Sequence, residues 1–197
     1  MKEKLVMIGN GMAGMRTIEE LLKINPDLYD ITVFGDEPYG NYNRILLSPV
    51  LAGDKTIDDI MLNSIDWYKD NNITLHAGKR VSEINRIART VTSEDGLVEE
   101  YDRLIIATGS TPFIIPVPGH DKEGVIAFRD IKDVDTMLAA TQNYKHATVI
   151  GGGLLGLEAA NGMMQHGMKV TVVHLEDTLM ERQMDSVSGK MLKNSLQ

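Results

Sequence analysis

One glycine spacing occurs twice in this chain, each time where an apolar run of strand character gives way to helical periodicity, and it constrains the fold more than any other feature. The first copy is Leu5-Val6-Met7-Ile8 running into Gly9-Asn10-Gly11-Met12-Ala13-Gly14, after which Met15, Ile18, Leu21 and Leu22 fall on one helical face. The second is Ala147-Thr148-Val149-Ile150 running into Gly151-Gly152-Gly153-Leu154-Leu155-Gly156, followed by Leu157, Ala160 and Met164 at helical spacing. A strand that turns tightly into a helix needs a first glycine for backbone angles closed to residues with a Cβ. It needs a second so that a diphosphate can approach the main chain, and a third so that helix and strand can pack closely. The amides and the positive dipole end of the helix then face the phosphates. One such motif also occurs in ordinary loops; two in one chain point to dinucleotide binding.

The segments between the two copies fit alternating α/β architecture. The first helix should stop near Asn25-Pro26, and Tyr29 to Phe34 reads as a second strand. After that strand a βαβ nucleotide unit carries an acid for the adenosine ribose. Here Gly35 holds the first position, and either Asp36 or Glu37 is the candidate; a solvated Asp-Glu-Pro turn is the plain alternative. Gly40 to Arg44 is a polar loop whose guanidinium suits a diphosphate or an isoalloxazine edge, although a surface Arg paired with a carboxylate is the reading the residues alone favour. Ile57 to Tyr68 reads as one helix with Ile60, Met61, Ile65, Trp67 and Tyr68 inward. Short alternating strands follow at Ile73 to Leu75, Arg80 to Ile84, Thr90 to Thr92 and Leu97 to Tyr101, with Asp95-Gly96 a hairpin turn. The last three of these form an antiparallel meander. Arg103 to Ala107 reads as a buried parallel strand ending in Thr108-Gly109-Ser110, where a second stretch of backbone can lie against the same nucleotide.

Three prolines between Thr111 and Pro118 mark a stiff connection and a domain boundary. Asp130, Asp133 and Asp135 sit at the next helix start, where acids favour the dipole. Past the second glycine turn, Gly167 reads as a helix cap and Lys169 to Val173 as a strand. The acid position after it is His174, ambiguous between a free ribose 2′-hydroxyl and a 2′-phosphate, with Arg182 near enough in sequence to contribute to either; a strand-end histidine bonded to a backbone partner is the plain alternative. The fold class is α/β: two Rossmann-like dinucleotide-binding units with parallel sheets, the first carrying the meander. Residues 1–115 form the first domain and 116–197 the second.

Composition excludes several classes. Lys+Arg 20 against Asp+Glu 28, net charge -8, with no basic cluster, disfavours nucleic acid. With Cys 0 the chain has no disulfide framework, thiolate-held iron-sulfur cluster, Cys-based zinc site or redox dithiol of its own. The first apolar run is too short to span a membrane and ends at once in the glycine turn, so no leader is expected and a cytoplasmic location is. No metal site and no side chain in a catalytic acid or base role is expected.

Two G-x-G-x-x-G units separated by a meander and a Tyr101-Asp102-x-Leu104-Ile105-Ile106-Ala107-Thr108-Gly109 strand resemble the two-dinucleotide-binding flavoprotein family, in which the first unit holds FAD and the second NAD(P)H. Within it, Gly9 to Arg16, Ile31 to Gly35, Thr178 to Gln183 and, most specifically, Asn41-Tyr42-Asn43-Arg44-Ile45-Leu46-Leu47-Ser48-Pro49-Val50-Leu51-Ala52-Gly53 are similar to the amino-terminal module of the large subunits of NAD(P)H-dependent assimilatory nitrite reductases. The resemblance implies that Gly9, Gly11, Met12, Ala13 and Gly14 hold the FAD diphosphate and Asp36 or Glu37 its ribose. It sets Arg44 and Ser48 beside the flavin, Val81 against adenine through its backbone, and Ala107, Thr108 and Gly109 over the diphosphate. Gly151, Gly153, Leu154, Leu155 and Gly156 would hold the NADH diphosphate, with NADPH not excluded. Glu158 would approach the nicotinamide carboxamide, and His174 and Arg182 the adenosine ribose.

Two departures bear on mechanism. Related ferredoxin and rubredoxin reductases often place a Lys near the flavin where Pro49 stands, and disulfide reductases of the superfamily carry a cysteine pair that this chain lacks. The expected activity is hydride transfer from NADH to FAD, with electrons passing to siroheme and iron-sulfur centres outside this chain or to an electron-carrier protein. A stand-alone NADH:rubredoxin or ferredoxin reductase is the alternative enzyme, and a non-catalytic NAD(H)-binding module the alternative of another class. The resemblance also implies that the sequence stops inside the second nucleotide domain. Homo-oligomerisation is left open.

Overall fold

Period-two alternation explains the first strand. Leu5 and Met7 point to one face and Val6 and Ile8 to the other, and all four are buried, so the strand must be covered on both sides. The computed structural model of the chain describes residues 2–196; Met1 and Gln197, at which the two expected domains begin and end, lie outside the described residues.

In order the elements are β1 (Glu3–Ile8), α1 (Met12–Ile24), β2 (Tyr29–Phe34), β3 (Asn41–Tyr42), a 3-10 turn at Arg44–Leu46, α2 (Leu47–Ala52), α3 (Ile57–Ile60), β4 (Met61–Asn63), α4 (Ile65–Asp70) and β5 (Ile73–His76). Then come β6 (Val81–Asn85), β7 (Thr90–Ser93), β8 (Val98–Glu100), β9 (Arg103–Ile106), α5 (Ile131–Asn143), β10 (His146–Ile150), α6 (Leu154–Gln165), β11 (Lys169–Val173) and α7 (Ser186–Leu196). They divide into two compact units. One runs from the start of the chain to Asn43 and resumes over Met61–Thr111; the other comprises Arg44–Ile60 and the chain from Pro112 onward.

The first unit is built on a parallel sheet of order β5-β2-β1-β9, with β1 paired to β2 from Glu3↔Tyr29 to Ile8↔Phe34. On one face Met15 and Ile18 of α1, both fully buried, pack with Leu5, Met7, Ile31, Val33, Tyr68 and Ile73. Each side chain so buried contributes about 1.5–3 kcal/mol. On the other face Val6, Ile8 and Phe34 pack against Val91 of the antiparallel β6-β7-β8 meander, with Val81 and Tyr101 at its margin. The Asp95-Gly96 turn forms as expected, Gly96 at φ +86° and its amide donating to the Ser93 carbonyl at 3.0 Å.

The stretch 57–68 departs from expectation. It is not one helix but α3, β4 and α4, because Met61–Asn63 pairs antiparallel with Asn41–Tyr42. The Asn63 carbonyl oxygen stands only 2.1 Å from where a Cβ on Gly40 would lie, an approach only glycine permits. Ser64 then starts a new helix by accepting the Trp67 amide at 3.3 Å. Ile65 is exposed, not inward, whereas Tyr68 is buried. Tertiary pairing overrides the local helical pattern here.

In the second unit β10 and β11 run parallel in register from His146↔Lys169 to Ile150↔Val173, joined by α6. Helix α6 ends in a Schellman motif: Gly167, at φ +79°, donates to Met164 O and Met168 to Met163 O. Segment 44–60 belongs to this unit because α2 packs on α6. Leu51, fully buried, comes within 2.6 Å of the position a Cβ on Gly162 would take. The His166 ring donates from Nε2 to the Leu51 carbonyl at 2.7 Å. Asp130 and Asp133 form a capping box at the start of α5.

Candidate dinucleotide-binding turns

In the first turn the three glycines do different work. Gly9 sits at φ +112°, and a Cβ there would lie 2.3 Å from the Ala107 carbonyl oxygen. A Cβ on Gly14 would meet Met7 Sδ at 2.7 Å and Ala107 Cβ at 3.1 Å. The protein's own packing therefore fixes both. Gly11 is different: it is extended (φ -87°, ψ 172°), and a Cβ on it would meet nothing within 4 Å. Gly11 is also the N-cap of α1 and brings no capping side chain, while the first intrahelical bond runs from Met15 N–H to Gly11 O. The amides of Met12, Ala13 and Gly14 thus precede the ladder at a helix end that favours an anion.

Asn10, between the first two glycines, is clamped by groups that sequence reasoning missed. The Tyr68 hydroxyl donates to Asn10 Oδ1 at 2.6 Å and accepts the Asn41 amide at 3.2 Å. Asn41 Nδ2 donates to the Asn10 carbonyl at 2.9 Å, and Asn10 Nδ2 to the Tyr39 carbonyl at 3.1 Å. Burial pushes the Tyr68 phenol up to about 12, the hydrogen bonds with Asn41 and Asn10 opposing it. Ala107 donates to the Ile8 carbonyl, so Ala107, Thr108 and Gly109 run beside the turn.

The candidate ribose acids have protein partners. Asp36 pairs with Arg80 at 3.1 Å, both well exposed, and Glu37 accepts the Tyr42 hydroxyl at 2.8 and 3.1 Å. Val81 opens β6 and packs beside Phe34.

The second turn follows the same course with looser packing at its first glycine, where a Cβ on Gly151 would meet nothing within 4 Å. Gly151 is at φ +118° with its amide on Val173 O at 2.8 Å, the position Gly9 takes toward Phe34 O. A Cβ on Gly156 would fall 2.0 Å from Gly151 O, while one on Gly153 would meet nothing within 4 Å. Gly153 caps α6 without a side chain, and Leu154, Leu155 and Gly156 follow it, both leucines exposed. His174 does not point freely outward: Nδ1 accepts the Gly152 amide at 2.9 Å and Nε2 faces Glu181 Oε2 at 3.1 Å. The backbone amide of Glu181 itself, and then the His174 ring, hold that carboxyl below the usual range. Arg182 is exposed beside it.

Ser48 and Glu158 come together in the second unit, to which Arg44 also belongs. The Ser48 hydroxyl donates to Glu158 Oε2 at 2.5 Å across 110 residues of sequence, and Arg44 Nη1 donates to the Arg129 carbonyl at 2.5 Å. Nothing in the local pattern signals either contact. Among the described residues no cluster of His, Asp or Glu is arranged to hold a metal ion, and no helix is long and apolar enough to cross a membrane.

The open Cβ positions at Gly11 and Gly153, each at an uncapped helix start, fit the diphosphates of FAD and NAD(P)H. The chain is 57% identical over 196 residues to the nitrite reductase [NAD(P)H] of Bacillus subtilis (strain 168) and 47% identical to the assimilatory nitrate reductase electron transfer subunit of the same organism, covering 100% of this chain in both cases. It spans 24% and 25% of their lengths. The solved structure of NADH:rubredoxin oxidoreductase from Clostridium acetobutylicum superposes with a TM-score of 0.88 at 31% identity, over 100% of this chain and 50% of that one. Residues 3–197 match the pyridine nucleotide-disulphide oxidoreductase family, and the chain belongs to it.

Proposed function

We propose that this chain is the pyridine-nucleotide-oxidising module of an NAD(P)H-dependent nitrite reductase. When bound, NADH and FAD would supply the hydride donor and acceptor, and iron-sulfur and siroheme centres outside this chain would receive the electrons that reduce nitrite to ammonium. The observation that carries the reading is the duplicated helix start, uncapped and open at the middle glycine, in a chain 57% identical to a nitrite reductase.

The chain's own residues bind and orient. Gly9 to Gly14 offer amides to the FAD diphosphate, Ala107 to Gly109 close over it, Asp36 or Glu37 takes its ribose, and the Val81 backbone meets adenine. Gly151 to Gly156, with Leu154 and Leu155, do the same for the nicotinamide dinucleotide. Arg44 and Ser48 lie beside the flavin. Glu158, held by Ser48, accepts from the nicotinamide carboxamide. No side chain need move a proton, so orientation is the main contribution. The first nucleotide domain ends near residue 115 and the second follows. The partners are NAD(P)H and downstream redox modules or a carrier protein, and the need for NADH locates the module in the cytoplasm.

The test is anaerobic addition of NADH to the purified chain reconstituted with FAD. Flavin absorbance that bleaches on addition is the expected result, and a chain that takes up no flavin and oxidises no NADH overturns the proposal. The likeness to the Clostridium reductase favours a second reading, a stand-alone NADH:rubredoxin or ferredoxin reductase. Rapid electron delivery to rubredoxin or a ferredoxin would select it.

A further inference from the structure

We propose that Glu181, aimed by His174, makes the second turn selective for NADH against NADPH. The inference rests on the reading of Gly151 to Gly156 as a nicotinamide dinucleotide site and adds the residue that discriminates within it.

The first position after β11, where such a unit carries its ribose acid, is His174, and its ring is already engaged. The Gly152 N–H can only donate, so Nδ1 accepts, which leaves the ring proton on Nε2 to face Glu181 Oε2. The imidazole is a spacer. One edge is fixed to the glycine turn, and the other presents a carboxylate supplied from seven residues further along the chain.

The segment carrying Glu181 is fixed to the same turn through its backbone. Met180, the residue before it, sits at φ +54°, a conformation that an unbranched non-glycine residue adopts only at some cost. Its amide donates to Gly152 O at 3.0 Å, while its carbonyl accepts from Gln183 and Met184 at 2.9 Å each. Gly152 is therefore held through its N–H by His174 and through its C=O by Met180, and both contacts converge on Glu181. Packing closes the clasp: a Cβ on Gly152 would meet Leu179 Cδ2 at 2.6 Å and His174 Cγ at 2.8 Å. The Glu181 side chain keeps 37% of its surface exposed, against 14% for His174, so the carboxylate and not the ring can meet a ligand.

A carboxylate so placed accepts from the 2′- and 3′-hydroxyls of the adenosine ribose. A 2′-phosphate, carrying about −1.5 to −2 charges, would face like charge at close range. Arg182 is the competing group. It lies next in sequence and its charge favours the phosphate.

The test is equilibrium binding of NADH and of NADPH to the purified chain, read by nicotinamide fluorescence, for the unchanged protein, Glu181→Gln and Arg182→Gln, with a thermal melt of each. The expected result is a preference for NADH of at least roughly tenfold. Glu181→Gln should remove most of it by tightening NADPH, with little change in melting because the glutamine oxygen still accepts from the His174 ring, and Arg182→Gln should keep or raise it. His174→Asn keeps an acceptor for Gly152 but is too short to reach Glu181, and should lower the preference. Equal binding of the two dinucleotides, a ratio in Glu181→Gln within twofold of the unchanged protein, or a ratio that moves only in Arg182→Gln would overturn the assignment while leaving the dinucleotide site standing. If neither dinucleotide binds, the site itself is wrong and Glu181 falls with it.

Discussion

The unequal roles of the glycines in each turn lead to a prediction that separates folding from binding. In Gly9→Ala the new Cβ must occupy a backbone conformation at φ +112°, costing about 1–3 kcal/mol, and lies 2.3 Å from a backbone carbonyl that cannot swing away. Together these should remove at least about 3 kcal/mol, a large share of the ~5–15 kcal/mol that holds a protein folded. Gly11→Ala should do none of this. Its angles are ordinary for alanine, and its Cβ would meet no protein atom within 4 Å. The loss of a preferred N-cap residue and the reduced freedom of the unfolded chain, each below about 1 kcal/mol, oppose one another. On the function proposed above, the methyl group would instead stand in the path of the diphosphate. Crowding at that level costs about 1–3 kcal/mol, roughly a 5- to 150-fold rise in the dissociation constant. Thermal melting followed by circular dichroism measures the first effect, and quenching of FAD fluorescence the second. Gly153→Ala should behave toward NADH as Gly11→Ala does toward FAD. A Gly11→Ala protein that melts normally and binds FAD with unaltered affinity would refute the reasoning, as would a Gly9→Ala protein as stable as Gly11→Ala.

Two further outcomes are expected. Tyr68→Phe strands the Asn41 amide and Asn10 Oδ1 and should cost about 1–3 kcal/mol in urea unfolding. The folded phenol is raised from 10.0 to about 12, so its contribution is complete below pH 10 and is lost as pH rises through that window; the alkaline fall in stability should be shallower in Tyr68→Phe, and superimposable curves would contradict this. Ser48→Ala should lower stability by about 1 kcal/mol, because the bond ends on a carboxylate that is only partly buried. A double-mutant cycle with Glu158→Ala giving a coupling within about 0.3 kcal/mol of zero would show that the contact is absent.

What the sequence made legible follows physical range. β2 and β11 begin and end at the expected residues, and both glycine turns form, because strand period and glycine chemistry are local. The helix expected over 57–68 fails because Met61–Asn63 answers to a partner some twenty residues upstream, which no window on the segment can register. The site divides along the same line. Gly9 and Gly14 are explained by neighbours and by Ala107, but Ser48 meets Glu158 across 110 residues. Asn10 shows no sign in the sequence that a buried tyrosine holds it. His174 could be located by counting from the turn and a backbone partner for it lies within reach of the sequence, as the Gly152 amide shows, yet its contact with Glu181 depends on a loop conformation with one residue at positive φ, and residue type does not reveal that.

The allotment of Arg44–Ile60 to the second unit has a consequence for how this chain can be taken apart. The polypeptide passes from one unit to the other at 43/44, at 60/61 and again at 111/112. No single scission can release the second unit entire: severed at 111, the carboxyl-terminal piece would lack Leu51, and the surface of α6 that Gly162 keeps bare would face water. The two units of this chain are therefore interleaved along its sequence, and neither a protease nor a cloning boundary can separate them with one cut.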